Sequence, residues 1–389
     1  MRIAFLCTSS LNDASPRGRW LPIAKELARA GHHPMLAMLH PTWDRLAVKQ
    51  QVIAGIPTIY AAQMHVYGMP GARRYYRPLA LIGVSLRAAL ALASVAMRFR
   101  PDLVHVAKPQ PINGLAGLIV ARLRGIPMFV DCDDYEAGAN RVGAAWQRQL
   151  ISFWEDRLPR HTSGVTVNTR FLVDRVASLG VATERITYVP NGIDRNQITR
   201  PPQQQIDALR QALGLSKHPT LAYLGTISEV AHGVGLLLEA FRIACVTLPD
   251  ARLLIIGDGD DRRMLMQRAN DLGIATHVRW LGRVAPSATN HFLSLAQASV
   301  DPVRQTPAMA ARSPLKIVES MAAGVPVLTS AVGDRREMLG STGGMLVDAD
   351  SATALAHGIV AILSSDQAAH ISRIQAQAAR FCWDQVVRP

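Results

Sequence analysis

Residues 313–330, SPLKIVESMAAGVPVLTS, decide how the rest of this chain is read. Ser313 suits a helix N-cap and Pro314 the first helical position. Gly324 can end the helix, and Pro326 enforces the stop. A buried strand, VPVLTS, follows at once. A helix opened this way presents amides without intrahelical partners and the positive end of its dipole, a ready anion site. Lys316 and Glu319 are three apart, so they share a face. The cation can sit near a phosphate, and the carboxylate one turn on can accept hydrogen bonds from a ribose diol. The plainer reading is an exposed pair worth about 0.3 kcal/mol. The apolar context IVESMAAG makes an exposed Glu319 less natural and favours the ligand-binding reading.

Strands and helices alternate outward from this stretch. RIAFLCT, HPMLAML, DLVHVA, PMFVDC, GVTVN and ITYVP are short apolar runs, most of them separated by helical patterns such as GLAGLIVARLRG. That is the signature of a parallel sheet buried on both faces. The series restarts after PNGIDRNQITRPPQQQ with TLAYLGT, ARLLIIG, VRWLG, ASVDPV and VPVLTS. The expectation is an α/β protein of two Rossmann-like domains, 1–195 and 196–370, followed by a helical tail, 371–389.

The 389 residues are 49% hydrophobic and 18% charged, which excludes a disordered chain. Cys7, Cys132, Cys245 and Cys382 lie far apart, without a CxxC pair, which fits a reduced cytoplasmic protein without a zinc knuckle. The apolar run Ile3–Cys7 is too short for a signal-peptide core. The net charge of +13 is uneven: residues 1–195 hold 24 Lys and Arg against 13 Asp and Glu, and residues 196–389 hold 18 against 16. From Arg45 to Arg100 there is no acid at all. Such a field suits an anionic surface, and it equally fits an arginine-rich composition. Arg73, Arg74, Tyr75, Tyr76 and Arg77 mix cations with aromatics, as a lipid headgroup layer or an acceptor contact requires; a solvated loop is the alternative. The apolar stretch Leu79–Arg100 is interrupted by Arg87 and reads as a buried helix rather than a membrane span. No nucleic-acid-binding module is recognisable.

Open parallel sheets bind ligands at the carboxyl ends of their strands. Glycine-rich loops stand there at Gly225, at Gly257 with Gly259, and at Gly282. Each alone is a weak signal, because glycine also simply makes turns.

Together DLVHV, YVPNGID, AYLGT, HGVGLLLEAF, LPDARLLIIGDGD, VRWLGRV and SPLKIVESMAAGVPVLTS resemble, in order, the retaining GT-B glycosyltransferases of family 4 (group 1). The resemblance implies two domains facing a cleft, with the nucleotide-sugar on the second, the acceptor on the first and a C-terminal helix crossing back. It implies that Glu319 binds the ribose hydroxyls, and that Ser313, Leu315 and Lys316 lie at the helix start near the diphosphate. Leu281 and Gly282 would flank the base, Gly18 would belong to a glycine-rich loop approaching the phosphates, and Asp133 and Asp134 would lie near the sugar. The sequence departs from the family at three places: Ala311 replaces a first glutamate, Thr226 an arginine and His232 a lysine. Lys316, Arg283, Arg304 or Arg312 could replace the lost charge. The implied activity is hexosyl transfer from a nucleotide-sugar donor to a hydroxyl of a glycan or lipid-linked acceptor, in cell-surface polysaccharide biosynthesis. It needs no metal or other cofactor, and the enzyme would lie in the cytoplasm or at the inner membrane face. The alternatives are a nucleotide-sugar epimerase or hydrolase on the same fold, and a non-catalytic GT-B partner protein.

Overall fold

The computed structural model describes residues 1–13, 15–68, 74–139, 145–365 and 370–387. The chain divides into two compact units, Met1–Asn191 with Val386 onward, and Gly192–Gln385. The division falls slightly before 195, because Ile193 pairs with the tail. Its amide donates to Phe381 O at 3.0 Å and its carbonyl accepts from Trp383 N at 3.0 Å. Its side chain is buried with Ile317 and Val318.

In the first unit the strands are β1 (Arg2–Cys7), β2 (His33–His40), β3 (Gln50–Ile53), β4 (Ile56–Gln63), β5 (Val66–Tyr67), β6 (Arg74–Tyr75), β7 (Leu103–Ala107), β8 (Met128–Cys132), β9 (Gly164–Val167) and β10 (Ile186–Tyr188). Eight of them form one sheet in the order β10-β9-β8-β7-β1-β2-β4-β3, while β5 and β6 form a separate two-stranded hairpin. The large sheet is parallel except for β3, which runs against β4. That reversal was not legible in the apolar pattern. It is made by Ala54 and Gly55, both at positive φ (51° and 80°), the geometry of a primed hairpin turn. Strand β1 is buried throughout Ile3–Cys7, as helices on both faces require.

The Pro78–Phe99 helix corrects one expectation. It is not buried along its length. Ala88, Ala89, Leu92, Ala93 and Ala96 are buried, and none of them lies in its first ten residues.

The second unit has β11 (Thr220–Leu224), β12 (Arg252–Ile256), β13 (Val278–Gly282), β14 (Ala298–Val300), β15 (Val327–Ser330) and β16 (Gly344–Val347). Its sheet order is β13-β12-β11-β14-β15-β16, and every pairing is parallel. In each unit the chain leaves its first strand in both directions. The strand order therefore reverses at β1/β7 and at β11/β14, the positions where open sheets leave a crevice for ligands.

The helix foreseen at 313 spans Leu315–Ala322 and joins β14 to β15. Pro314 itself is the N-cap (φ −76°, ψ 105°), so Ser313 stands one residue before the cap. The helix ends as expected, with Gly324 at φ 73° and Val325 N bonded to Ser320 O at 3.0 Å. A Cβ on Gly324 would lie 2.6 Å from Ile371 Cγ2. The tail 371–389, expected as one crossing helix, holds two: Ile371–Ala379, packed on Leu315–Ala322 through Ile374 and Ala378, and the short Trp383–Val386.

Candidate functional site

In the second unit the chain reversal brings three elements together. Gly225 follows β11, Asp301 follows β14, and Lys316 reaches between them from the first turn of its helix. Lys316 Nζ lies 3.2 Å from Asp301 Oδ1 and 4.7 Å from the centroid of the Tyr223 ring. The contact with Asp301 is an ion pair without hydrogen-bond alignment, which leaves ammonium donors unused. Gly225 makes room for this arm, because a Cβ there would lie 3.3 Å from Lys316 Nζ. Asp301 is buried and also accepts from Arg335 Nε at 2.8 Å. Burial alone would raise its pKa, but Arg335 and Lys316 more than offset that and hold it at about 2. Burial would likewise lower the Lys316 pKa; Tyr223 and Asp301 reverse the direction and keep the lysine charged.

Glu319 is half-buried, one turn beyond Lys316. Burial raises its pKa, and the Lys316 charge opposes the shift. Its carboxylate makes no hydrogen bond or ion pair among the described residues, and its oxygens are not sealed from solvent, so they can meet a ligand. Lys316 pairs with Asp301 instead of Glu319, so the plainer reading, an exposed Lys316–Glu319 pair, does not hold.

His232 is brought to the same place, but not as a cation. Burial, then Lys316 and Arg312, lower its pKa to about 3, so the imidazole is neutral at pH 7. The cations whose charge reaches His232 are Lys316 and Arg312. Arg283 is exposed, and Arg304 faces Glu229 and Asp350 at 3.7 Å each. Thr226 is exposed, and its carbonyl accepts from the Tyr223 hydroxyl at 2.7 Å. Ala311 is fully buried, so no carboxylate stands there.

Gly257 and Gly259 serve a close approach of backbone to backbone. A Cβ on Gly257 (φ 144°) would lie 1.9 Å from Gly225 O, and one on Gly259 2.1 Å from Ile227 O. Gly257 N donates to Gly282 O at 2.9 Å, and Leu281 packs half-buried below. Gly257→Ala is therefore expected to cost about 2 kcal/mol or more. A urea melt checks this, and an unchanged midpoint would refute the packing argument.

The first unit also carries a polar cluster at its chain reversal. Thr8 Oγ1 donates to Gln110 Oε1 at 2.7 Å, and Gln110 Nε2 donates to Glu136 Oε2 at 2.6 Å. Lys108, at φ 78°, donates to Glu136 Oε1 at 2.6 Å and lies 3.2 Å from Asp133 Oδ1. Burial pushes Asp133 up to about 7 against the pull of Lys108. Asp134 is half-buried and accepts from its neighbour Tyr135 N at 2.9 Å. Gly18 does not sit in a loop. It lies in the π-helical turn Pro16–Trp20, which runs straight into the Leu21–Arg29 helix. The residues beside it, Arg19 and Trp20, are buried on Asp131.

Residues 17–192 match the Glycosyl transferase 4-like domain, and residues 218–365 match the family Glycosyl transferases group 1. The chain belongs to the group 1 glycosyltransferases. It is 32% identical over 206 residues to a phosphatidyl-myo-inositol mannosyltransferase of Mycolicibacterium smegmatis, a match covering 51% of this chain and 48% of that protein. It is 28% identical over 262 residues to a GDP-mannose-dependent alpha-mannosyltransferase of the same organism, covering 65% and 62%. The chain thus spans about half the length of the first of these relatives. Among solved structures it resembles Anabaena HepE in complex with UDP-glucose, with a TM-score of 0.76 at 19% identity over 99% of this chain and 97% of that one. Sucrose-phosphate synthase of Thermosynechococcus elongatus gives 0.76 at 18% over 99% and 96%. At such identities the likeness shows the fold alone, and that fold is GT-B.

Within the second unit, Asp301, Tyr223 and Arg335 are the residues of this cluster that motif reading passed over. The available signal was Asp301 itself, a carboxylate at the end of the apolar run ASV. Of the basic patch, Arg74, Tyr75 and Arg77 are exposed, while Tyr76 stacks on Tyr67 with centroids 4.8 Å apart. Arg73 lies outside the described residues.

Proposed function

We propose that this chain moves a hexose from a nucleotide-sugar to a hydroxyl of a glycan or lipid-linked acceptor, with retention of anomeric configuration. The observation that carries the reading is Glu319: a half-buried carboxylate without a protein partner among the described residues, one turn from a lysine, at the chain reversal of the second sheet. A ribose diol supplies the two donors that it lacks. The mannosyltransferase names of the sequence relatives support a hexose donor. The base is sought among UDP, GDP and ADP.

In this reading the bond from the anomeric carbon to the diphosphate oxygen breaks, and the acceptor oxygen bonds to that carbon on the same face. The acceptor proton passes to the departing phosphate oxygen. The helix-start amides of Leu315 and Lys316, with the Lys316 and Arg312 cations, stabilise the charge that develops on the diphosphate. These groups answer that charge without invoking a metal. The family resemblance implies a role near the sugar for Asp133 and Asp134. In this reading the enzyme works in the cytoplasm, and a lipid-linked acceptor would be met at the inner face of a membrane.

A thermal-shift screen of the three nucleoside diphosphates tests the donor site, and a product assay tests the transfer. One base should raise the melting temperature by several degrees at saturation, as ligand linkage requires. No shift with any base overturns the reading. The buried Ala311 and the neutral His232 favour one second reading, a binding protein without turnover. It predicts the shift but no sugar on the acceptor, whereas free sugar alone would mark a hydrolase.

A further inference from the structure

From Leu79 to Leu90 the Pro78–Phe99 helix carries an apolar stripe that none of the described residues covers. Leu79 is 85% exposed, Ile82 51%, Leu86 51% and Leu90 60%. Their spacing of three, four and four places all four on one side of the helix. At 1.5 Å per residue the stripe runs for about 16 Å. An 18-residue window of this helix has a mean hydropathy of 2.0, with 28% of it buried. Contiguous exposed apolar surface of this kind marks an interaction site.

We propose that this stripe docks the first unit onto a bilayer surface that contains anionic phospholipid. The charge around it selects that occupant. Arg74 and Arg77 stand exposed at the helix start, and Arg87 is exposed beside the stripe. Tyr75, in the hairpin β5–β6, is 72% exposed. Amphipathic rings and cations bordering an apolar face match the composition of membrane-surface helices. The sequence from Arg45 to Arg100 holds no acid. Asp44 is the acid felt on the hairpin side, where its charge adds to burial in raising the Tyr76 pKa; the exposed arginines outnumber it. A second copy of the chain fits less well, since two-fold pairing would set these cations against each other.

The helix docks and does not cross. From Ala88 on it is fixed inside the unit by Ala88, Ala89, Leu92, Ala93 and Ala96, packed toward β4 and the Pro111–Arg124 helix. Spanning would strip those contacts away. The surface uses none of the donor-site residues, so this proposal and the glycosyl-transfer reading fail independently.

Co-sedimentation with vesicles of phosphatidylcholine, with and without phosphatidylglycerol, tests it. Wild-type protein is expected to bind the phosphatidylglycerol vesicles at low salt and to release as salt rises. The Leu79→Ser/Leu86→Ser variant should lose at least tenfold in binding. The Arg74→Gln/Arg77→Gln/Arg87→Gln variant should lose the preference for anionic vesicles. These side chains are exposed, and an unchanged melting temperature shows that the variants fold. Wild-type protein that ignores anionic vesicles overturns the proposal. So does serine-variant binding equal to wild type, and so does a wild-type dimer that the serine variant converts to monomer.

Discussion

Glu319→Ala should abolish the stabilisation conferred by a nucleoside diphosphate without lowering the melting temperature of the free protein. The two halves of this expectation have different causes. In the complex the carboxylate would accept two hydrogen bonds from a ribose diol, and bonds to a charged acceptor are worth about 1.5–3 kcal/mol each. Losing about 3 kcal/mol weakens binding roughly a hundredfold. In the free protein the same carboxylate has no hydrogen bond or ion pair among the described residues, and burial raises its pKa. The sign follows from linkage. A carboxyl whose folded pKa is raised lowers stability once pH exceeds its unfolded value, about 4.3, so removing it relieves a cost at pH 7. Calorimetry with UDP and GDP, beside a melt of the free variant, checks both halves. Unchanged affinity would refute the assigned role, and a large drop in the melting temperature of the free protein would show Glu319 to be structural.

Asp131→Ala is expected to cost about 3–5 kcal/mol of stability, because it leaves a buried guanidinium unpaired. Asp131 receives Arg19 as a fork, Nε to Oδ2 at 2.7 Å and Nη2 to Oδ1 at 2.6 Å. Trp20 Nε1 donates at 2.9 Å and Thr166 Oγ1 at 2.6 Å. Arg19 also donates to Val189 O at 2.8 Å and to Asn191 Oδ1 at 3.1 Å, so one carboxylate organises four segments of the first unit. Burial would raise the Asp131 pKa; the Arg19 charge and hydrogen bonds overcome it and hold the group at about 2. Because this pKa is depressed below the unfolded value of about 3.9, the contribution is complete above that value. It is lost as pH falls toward about 2. Urea melts at neutral and acid pH check this. The gap between wild type and variant should close as pH falls, and a pH-independent gap would contradict the linkage.

The fold was legible because its signals are local. Runs such as RIAFLCT and ARLLIIG are apolar throughout, which only a sheet covered on both faces allows, and the helix after Pro314 carries its own stop in Gly324 and Pro326. The β3–β4 reversal escaped because two residues at positive φ decide it. The half-exposed Pro78–Phe99 helix escaped because its composition is mostly apolar, so the pattern does not mark which face is buried.

The site divides along the same line. Sequence by itself determined that Lys316 and Glu319 share a helix face, since a 3.6-residue turn depends on nothing outside the helix. Only the tertiary structure decided that Lys316 turns to Asp301, that His232 is neutral and that Asp131, rather than Asp133, anchors Arg19. Each of these depends on which charge lies within a few ångströms in a desolvated place, and residues far apart in the chain settle that only once the sheets have formed.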